Sequence, residues 1–485
     1  MLRAGAMNAQ AFPDRFVWGA ATAAYQVEGG ARSGGRGQSI WDMLCEKEGA
    51  IHGGHNAEVS SDHYHRWAED VALFRQLGLT GYRFSLSWPR ILPTGTGQVN
   101  AAGLAFYDRL VDELLAANIT PYVTLFHWDL PLDLYHRGGW LNRDVASWFA
   151  DFTELCVRKL GDRVEHWITL NEPQVFVGYG HYDGRHAPGV RYSLAEMLRC
   201  GHNALLAHGR SVQAIRAATP RPARIGFAPM GFPKIPASDS AEDLAATRER
   251  MYAVVDPNHW NLTWWTDPVI LGRYPEDGWR LFGKDVPQVH EGDLELISAP
   301  TDFLGLNIYQ GSYIRRGASG AAEVVPTPPG FPLSAFNWPI TPEALYWGPK
   351  LAYERYGKPI FITENGLSCR DSPSLDERVH DAQRVDFLSR HLRELHRAIL
   401  DGVPIEGYFH WSALDNFEWA DGYKERFGLI YVDYATGRRI PKDSYHWYAR
   451  IIASRGRAAL EASAAQAHQL SFEAEHADVL RGLRP

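Results

Sequence analysis

Short apolar runs recur along the chain, and longer amphipathic segments separate them. We expect eight of these runs to form β-strands: Phe16–Ala20, Gly81–Ser85, Tyr122–Phe126, Val164–Leu170, Arg224–Ala228, Phe303–Ile308, Pro359–Thr363 and Ile405–His410. Most of them are continuously apolar and do not alternate with polar residues, which is typical of parallel strands covered by helices. The pattern therefore predicts a parallel sheet with a helical layer outside it.

The segments between the runs have the hydrophobic spacing of amphipathic helices. In residues 104–115, 145–160 and 385–399, apolar side chains recur at steps of three and four residues. Strand and helix alternate eight times, which predicts an α/β fold of the (β/α)8 or TIM-barrel class. An open, doubly wound sheet is the alternative, but the GxGxxG phosphate-binding turn of such folds is absent after the first strand.

We predict a single barrel domain over residues 12–455, because no linker-like segment divides the chain. Residues 326–342 are rich in proline and glycine but also contain large aromatic side chains, so we expect a long loop over the barrel mouth. Residues 1–11 are predicted to be an N-terminal extension. Residues 456–485 have few, sparsely placed apolar positions, which indicates a helical or frayed C-terminal tail.

The composition is that of an ordinary globular protein. The 485 residues are 45% hydrophobic and 22% charged, which excludes disorder as the main state. The net charge of −8 gives no basic surface for nucleic acid or anionic lipid, and no apolar run approaches the ~18 residues of a membrane span. The first residues lack the apolar core of a signal peptide, so we expect a cytoplasmic protein.

Cysteine and histidine spacing gives little support for a metal site. The four cysteines lie far apart, with no CxxC pair, at Cys45, Cys156, Cys200 and Cys369. They are too few for a disulfide framework, so we expect reduced thiols. The pairs His63/His65 and His52/His55 could suggest a metal-dependent hydrolase, but neither has a third ligand at a suitable spacing. We expect a structural role for them and no metal.

In a (β/α)8 barrel the functional side chains lie at the carboxyl ends of the strands. The fourth predicted strand leads into Asn171 and Glu172, in ITLNEP, and the seventh leads into Glu364, in FITENG. The other strand ends bring polar and aromatic side chains to the same edge: Gln26, Arg83, His127, Trp128, Asp129, Asn307, Tyr309, His410 and Trp411.

Two carboxyl groups that face each other across a barrel mouth can hydrolyse a glycosidic bond. One protonates the departing oxygen, and the other attacks the anomeric carbon or activates water. A separation of about 5–5.5 Å gives retention of configuration and about 6.5–9.5 Å gives inversion. The sequence pattern leaves that choice open. The aromatic content of 12% is compatible with a large core and with a cleft that binds sugar faces.

Long motifs identify a known family. The chain resembles the retaining β-glucosidases of glycoside hydrolase family 1 from about Phe12 to about Ile452. The matching segments are FVWGAATAAYQVEG, YRFSLSWPRILP, VTLFHWDLP, TLNEP, FITENG and LDNFEWADGYKERFGLIYVD. The resemblance implies a TIM barrel with long loops at its mouth, retention of configuration and no cofactor.

The resemblance also implies the catalytic roles and the substrates. Glu172 would be the acid/base and Glu364 the nucleophile, with Arg83 as a supporting residue that keeps Glu364 charged; that anion would raise the pKa of Glu172. The expected substrates are cellobiose, short cello-oligosaccharides and aryl or alkyl β-glucosides. Side activity on β-galactosides and β-fucosides is expected, because epimers differ by one hydroxyl contact.

By the same resemblance, a ring of side chains would bind the substrate: Gln26, His127, Trp128, Asn171, Asn307, Tyr309, Trp338, Trp411, Glu418, Trp419 and Phe427. Asn171 would bind the 2-hydroxyl, and Tyr309 would orient Glu364. Trp338 and His186 would lie on the leaving-group side. Gln174 departs from the tryptophan that many members have after NEP, which suggests a more polar or less stacked leaving group.

Two other functions fit parts of the sequence. A 6-phospho-β-glucosidase would need a cationic phosphate pocket, for which Lys424 and Arg426 are candidates, but Glu418 and Trp419 favour unmodified sugars. A sugar-binding barrel that has lost catalysis would usually lack one carboxylate, and both are present. The oligomeric state, monomer or homo-oligomer, stays open.

Overall fold

The protein is built around a closed barrel of eight parallel strands, seen in a computed structural model that describes residues 11–460. The barrel strands are Val17–Ala21 (β1), Gly81–Ser85 (β2), Thr120–Phe126 (β3), His166–Asn171 (β4), Arg224–Ala228 (β5), Phe303–Asn307 (β6), Ile360–Asn365 (β7) and Ile405–Trp411 (β8). Each strand pairs with the next along the chain, and β8 pairs with β1. The predicted strands and the TIM-barrel class are confirmed.

The largest differences from prediction, of two residues each, are at three strand ends. Strand β3 begins at Thr120, two residues earlier than expected, and β4 begins at His166, two residues later. Strand β7 continues two residues further than expected, to Asn365. The extension of β7 includes Glu364 and Asn365, which are polar and therefore did not look like strand residues. Both are buried, because the barrel mouth supplies them with hydrogen-bond partners.

Helices follow the strands as the alternation predicted. Those after β1 to β8 are, in order, His63–Leu77, Ala101–Ala116, Val145–Leu160, Leu194–Ala218, Ala241–Tyr252, Ala344–Tyr356, Ala382–Leu400 and Asp443–Ala453. In Val145–Leu160 the buried face includes Val145, Phe149, Phe152 and Cys156, at the expected helical spacing. Ser193 and Glu196 form a capping box that starts Leu194–Ala218.

Smaller elements lie between the main ones. Shorter helices are Ala24–Val27, Ile40–Cys45, Trp88–Ile91, Leu132–His136, Pro173–His181, Thr263–Leu271, Glu276–Phe282 and Asp293–Ile297, and 3-10 turns are His52–Gly54, Gly139–Leu141, Gly283–Asp285 and Trp419–Asp421. One small sheet comprises Lys234–Pro236, Ser312–Arg316 and Ala322–Val324, and another comprises Ile430–Val432 and Arg439–Pro441. Within residues 11–460, no helix has the length and apolarity needed to cross a membrane.

The two described ends of the chain meet beside the barrel. The Phe12 amide donates to the Arg455 carbonyl at 3.1 Å, and the Phe12 ring packs against Trp18. The predicted N-terminal extension and most of the predicted tail, residues 1–10 and 461–485, lie outside the described residues.

A buried ion network joins the loops that follow β7 and β8. The Arg384 guanidinium hydrogen bonds the carboxylates of Asp381 and, at 2.7 Å, Asp371. Lys442 bridges Asp371 at 2.6 Å and Asp415 at 2.7 Å. Because all these side chains are buried or nearly so, each charge depends on its partners for solvation. The network therefore fixes the loops on one side of the barrel mouth.

We expect Arg384→Met to destabilise the fold strongly. The substitution leaves two buried carboxylates short of a partner, a loss of about 3–5 kcal/mol that lowers Tm by roughly 5–15 °C. Arg158→Met is the matched control, since Arg158 forms an exposed ion pair with Glu154, and it should shift Tm by less than about 2 °C. Differential scanning calorimetry measures both variants. Equal Tm values for the two variants would show that the buried network does not hold the loops.

Candidate active site

A cavity of about 520 Å³ occupies the carboxyl end of the barrel, where the sequence predicted a site. Parallel strands direct their last residues to one end, so Glu172 after β4 and Glu364 in β7 both reach it. The predicted site residues that line the cavity are His127, Trp128, Glu172, Tyr309, Trp338, Glu364, Trp411, Glu418, Trp419 and Phe427. Gln26, Arg83, Asn171 and Asn307 stand behind them as hydrogen-bond partners.

Glu364 is held by two donors. Arg83 Nη1 donates to its Oε1 at 2.6 Å, and the Tyr309 hydroxyl donates to its Oε2 at 2.7 Å. Burial raises the pKa of Glu364, while the positive charge of Arg83 and the hydrogen bonds from Tyr309 and Arg83 act in the opposite direction. This environment favours the ionised carboxylate far more than burial alone would.

Glu172 has a different environment. It precedes the helix Pro173–His181, with φ 46° and ψ 67°, a left-handed conformation that is uncommon for a residue other than glycine. Asn307 Nδ2 donates to its Oε1 at 2.9 Å, and no cation bonds it among the described residues. Burial raises the pKa of Glu172 well above its usual range, and the negative charge of Glu364 raises it further. Of the two carboxyl groups, Glu172 therefore has the environment that more strongly favours the protonated form.

Asn171 and Asn307 connect the two carboxyl groups. Asn171 Oδ1 accepts from Arg83 Nη2 at 2.6 Å and from Asn307 Nδ2 at 2.9 Å. The Asn307 side chain also lowers the pKa of Glu364 by hydrogen bonding. Because one short amide side chain interacts with both carboxyl groups, these groups face the same small space.

The same contacts determine which ring nitrogen of His127 carries the proton. Since Asn171 Oδ1 accepts from two donors, its amide nitrogen must be the atom that points to His127 Nε2, at 3.1 Å. His127 then accepts at Nε2 and carries its proton on Nδ1. Burial lowers the pKa of His127 well below its usual value, and the charge of Arg83 lowers it further, so the ring is neutral.

Buried polar atoms without partners surround this space. His127 Nδ1 and Gln26 Oε1 are buried and form no hydrogen bond with residues 11–460. Gln26 Nε2 donates to Glu418 Oε2 at 3.2 Å. Burial raises the pKa of Glu418 well above its usual range, and the charges of Asp421 and Glu364 add to this shift. Orphaned buried donors and acceptors are rare, and the hydroxyl groups of a bound ligand would satisfy them.

Flat aromatic rings form two walls of the cavity. The His127 ring stacks with Trp411, at a centroid distance of 5.7 Å, and with Trp419, at 5.9 Å. On the other wall Trp338 stacks on Phe336 at 4.7 Å. Aromatic walls with a few fixed polar groups are typical of sites that bind a ring-shaped ligand whose faces are apolar and whose rim carries polar groups.

Several lining residues were not named individually as site residues from the sequence: Val175, Tyr179, Arg185, Met230, Phe232, Trp260, Gln310, Phe336, Asn337 and Asp421. They lie beyond the strand ends, on loops and on the short helical segments Pro173–His181 and Trp419–Asp421, where no short motif marks them. Arg185 pairs with Asp421 at 2.6 Å and joins two of these loops. His186, predicted on the leaving-group side, does line the cavity, and so do Ala335–Trp338 of the predicted loop over the mouth.

Two expectations about individual residues are corrected. Gln174 does not line the cavity: it is buried, and its Oε1 accepts from the Met230 amide at 3.3 Å, so it faces backbone instead of a leaving group. Arg426 does not line the cavity either, because its guanidinium pairs with Asp415 at 2.6 Å. Lys424 does line it, and its ammonium pairs with Glu425 at 3.3 Å.

The pair His63/His65 has carboxylate partners that explain it. His63 Nδ1 contacts Asp70 at 2.8 Å, and His65 Nδ1 contacts Asp62 at 2.6 Å. Asp70 also accepts from Arg439 at 2.8 Å, so the His63 contact belongs to an ion network. In the part of the chain that the structure describes, no three metal-binding side chains come together.

Comparison with known proteins points to one family. The profile of glycosyl hydrolase family 1 matches residues 8–457. The chain is 44% identical over 451 residues to beta-glucosidase A of Thermotoga maritima, covering 93% of this chain and 99% of that protein. It is 42% identical over 456 residues to beta-glucosidase A of Acetivibrio thermocellus, covering 93% and 100%.

Comparison with solved structures gives the same family as the sequence comparison. The family 1 b-glucosidase from Thermotoga maritima superposes with a TM-score of 0.84 at 42% identity, covering 92% of this chain and 99% of that chain. A structure of beta-glucosidase from Thermotoga maritima in complex with deoxynojirimycin has the same TM-score at 43% identity and the same coverage of both chains. Another structure holds galacto-hydroximolactam.

We expect Glu364→Gln to lower the pKa of Glu172. The substitution removes the negative charge that helps to hold the proton on Glu172, while burial of Glu172 is unchanged. Carboxyl titration by ¹³C NMR of glutamate-labelled protein measures this pKa. Glu418→Gln is the control, because the charge of Glu418 is not among the causes of the Glu172 shift. An unchanged Glu172 pKa in Glu364→Gln would contradict the coupling.

Proposed function

The chain belongs to glycosyl hydrolase family 1 and is a retaining β-glucosidase, and we propose that Glu172 and Glu364 carry out its two-step reaction. The single observation that supports this assignment is that the two carboxyl groups receive different numbers and kinds of hydrogen bonds from the protein. Arg83 and Tyr309 both donate to Glu364, whereas Glu172 receives one neutral amide donor. The pair can therefore hold one proton at a defined position, which acid catalysis combined with nucleophilic attack requires.

In the first step a Glu364 oxygen attacks the anomeric carbon while the bond to the leaving group breaks. Glu172 gives its proton to the departing oxygen, so the leaving group departs as an alcohol. The product is a glucosyl ester of Glu364. The negative charge of Glu364 is then lost, and with it one of the two causes that raise the pKa of Glu172. Glu172 becomes a better base for the second step.

In the second step water attacks the anomeric carbon from the side that the leaving group vacated. Glu172 takes a proton from that water, and the bond between the sugar and Glu364 breaks. Two displacements at the same carbon restore the β-configuration. Both carboxyl groups return to their starting protonation states.

The substrates we propose are cellobiose, short cello-oligosaccharides and aryl or alkyl β-glucosides. The unpartnered Gln26 Oε1 and His127 Nδ1, together with Glu418, support binding of the hydroxyl groups of the cleaved glucosyl unit. We also propose side activity on β-galactosides and β-fucosides, since one hydroxyl contact gives limited discrimination. A panel of 4-nitrophenyl glycosides measures these preferences.

We further propose that residues 12–455 form one domain and that the protein is cytoplasmic. The unbroken strand order of the barrel supports the first proposal. The four cysteines, which are all unpaired, support the second. Limited proteolysis and cell fractionation test them.

Azide should distinguish the two catalytic carboxyl groups. With Glu364→Gly, azide is expected to occupy the space of the missing nucleophile and to produce an α-glucosyl azide from an activated aryl glucoside. With Glu172→Ala, azide should instead attack the glucosyl ester and give the β-glucosyl azide. Both variants should lose at least about 10³-fold in kcat on cellobiose.

The exposed Glu291→Gly variant is the control, and it should keep wild-type turnover without forming azide product. Product anomers are identified by NMR. An α-azide from Glu172→Ala, or full activity of either catalytic variant, would overturn the assignment of roles.

Tyr309→Phe should move the acid limb of the pH profile. Loss of its hydrogen bond removes one cause that lowers the pKa of Glu364, so the Glu364 pKa rises. Activity needs Glu364 ionised, and kcat/KM should therefore begin to fall at a higher pH than in wild type as the solution is acidified. Tyr353→Phe, on an exposed helix position, should leave the limb in place. A limb that moves to lower pH would contradict this role of Tyr309.

A further inference from the structure

The groups around Asn307 determine which atom of its amide is the nitrogen. Arg83 can only donate, so Asn171 must present its oxygen to Arg83 Nη2, at 2.6 Å. The same oxygen faces the Asn307 amide at 2.9 Å. Because two acceptor oxygens do not hydrogen bond with each other, Asn307 must present its nitrogen there. The Asn307 oxygen therefore points the other way, and it needs a donor of its own.

That donor is the hydroxyl of Thr363. Thr363 Oγ1 donates to Asn307 Oδ1 at 2.6 Å, which is within the normal range for a hydroxyl donor. Both residues are almost fully buried, so the Asn307 oxygen would be a buried acceptor without a partner if this hydroxyl were removed. The Thr363 hydroxyl therefore completes the hydrogen bonds that hold the Asn307 amide.

An irregularity in strand β7 brings Thr363 to this position. Successive residues of a regular strand point to opposite faces, so Thr363 and Glu364 would be expected on opposite sides of β7. The pairing of β7 with β6 slips by one residue between Ile362 and Glu364, and an irregularity of this kind redirects side chains. Thr363 and Glu364 both form hydrogen bonds with the Asn307 side chain as a result.

Room for the Thr363 side chain comes from Gly305 on the neighbouring strand β6. A Cβ atom at position 305 would lie 2.7 Å from Thr363 Cγ2 and 3.0 Å from Thr363 Oγ1, which is too close without a shift of the threonine. The absence of a side chain at position 305 therefore lets a branched residue with a hydroxyl occupy position 363.

The Asn307 amide acts on both carboxyl groups of the active site. Its Nδ2 donates to Glu172 Oε1 at 2.9 Å. Hydrogen bonding from Asn307 lowers the pKa of Glu172 and that of Glu364, in each case against the rise that burial causes. The amide can donate in this way only while its nitrogen faces the two carboxyl groups, so its orientation affects both protonation states.

We propose that Thr363 is a positioning residue whose hydroxyl fixes the Asn307 amide with its nitrogen toward Glu172 and Glu364. The proposal rests on the roles proposed above for these two carboxyl groups, and it adds a residue that acts on them through Asn307. Thr363 takes no part in bond cleavage.

The pH profile of Thr363→Val tests the proposal. Valine keeps the shape and branching of threonine but lacks the hydroxyl, so Asn307 Oδ1 loses its donor and the amide can turn. Weaker donation from Asn307 raises the pKa of both carboxyl groups. Activity needs Glu364 ionised and Glu172 protonated, so the acid limb and the basic limb of kcat/KM on 4-nitrophenyl β-glucoside should both move to higher pH, by about 0.3–1 unit.

The split between kcat and KM gives a second readout. We expect kcat to fall roughly three- to tenfold at the optimum pH, because the proton on Glu172 is less well placed for transfer. KM should change less, since the substitution leaves Gln26 and Glu418 untouched.

Two further variants serve as controls. Thr363→Ser retains the hydroxyl and should keep both limbs close to their wild-type positions. Thr153→Val removes another buried threonine hydroxyl, which donates to the Phe149 carbonyl at 2.8 Å in the outer helix Val145–Leu160, and it should move neither limb. None of these substitutions alters the ionisable groups around the carboxyl pair, which are Arg83 from β2, His127 after β3, Tyr309 after β6 and Glu418 after β8.

Limbs that stay in place in Thr363→Val, with or without a loss of rate, would overturn the proposal, because a purely structural role lowers activity without changing the profile. Equal shifts in Thr363→Val and Thr363→Ser would also overturn it. If Thr363→Val does not fold, Thr363→Ala and Thr363→Ser form a second pair, and the same shift is expected in the alanine variant alone. Failure of wild type to hydrolyse any β-glucoside would instead contradict the proposed function itself.

Discussion

The buried guanidinium of Arg83 is the group on which the arrangement of the barrel mouth depends. It donates to Glu364 and to Asn171, and it reaches the Thr363 carbonyl at 3.0 Å. An arginine in this position must satisfy its planar set of donors, and these acceptors come from strands β4 and β7. The cation therefore sets the position of the Glu364 carboxylate and of Asn171, the residue before Glu172, at the same time. Its positive charge also opposes the rise in the Glu364 pKa that burial causes.

Rigidity around this cation comes from two different sources. The barrel strands fix Arg83, Asn307 and Glu364 through the parallel ladder. The loops that carry Glu418 and Trp419 have no such ladder, and the ion network of Arg384 and Lys442 fixes them instead. Buried ion pairs contribute little net stability compared with apolar packing, but breaking one is costly, so they are effective at selecting one loop conformation.

These two sources explain how far the sequence could predict the structure. The hydrophobic pattern located the eight strands within two residues, and strand direction then placed Glu172 and Glu364 at one end. Gln174 was misjudged because its place two residues after Glu172 in the sequence says nothing about where its side chain points. The helix Pro173–His181 turns that side chain toward the Met230 backbone. Phe336 and Trp260 lie on irregular segments, whose paths depend on tertiary contacts and leave no periodic signal.

The charges around the active-site cavity bear on whether its ligand is a neutral or a phosphorylated sugar. A phosphate group needs cations or donors that are free to bind it. Of the described cationic side chains that line the cavity, Arg185 pairs with Asp421 and Lys424 with Glu425. Burial lowers the pKa of His186 to about 3, and His127 is likewise neutral, so neither ring adds positive charge. With Glu418 facing the same space, a dianionic phosphate would enter a cavity whose lining cations are already neutralised. A sugar with free hydroxyls can hydrogen bond with Gln26 Oε1 and His127 Nδ1 without adding charge. The charges and hydrogen-bonding groups of the cavity therefore favour a neutral sugar over a phosphorylated one.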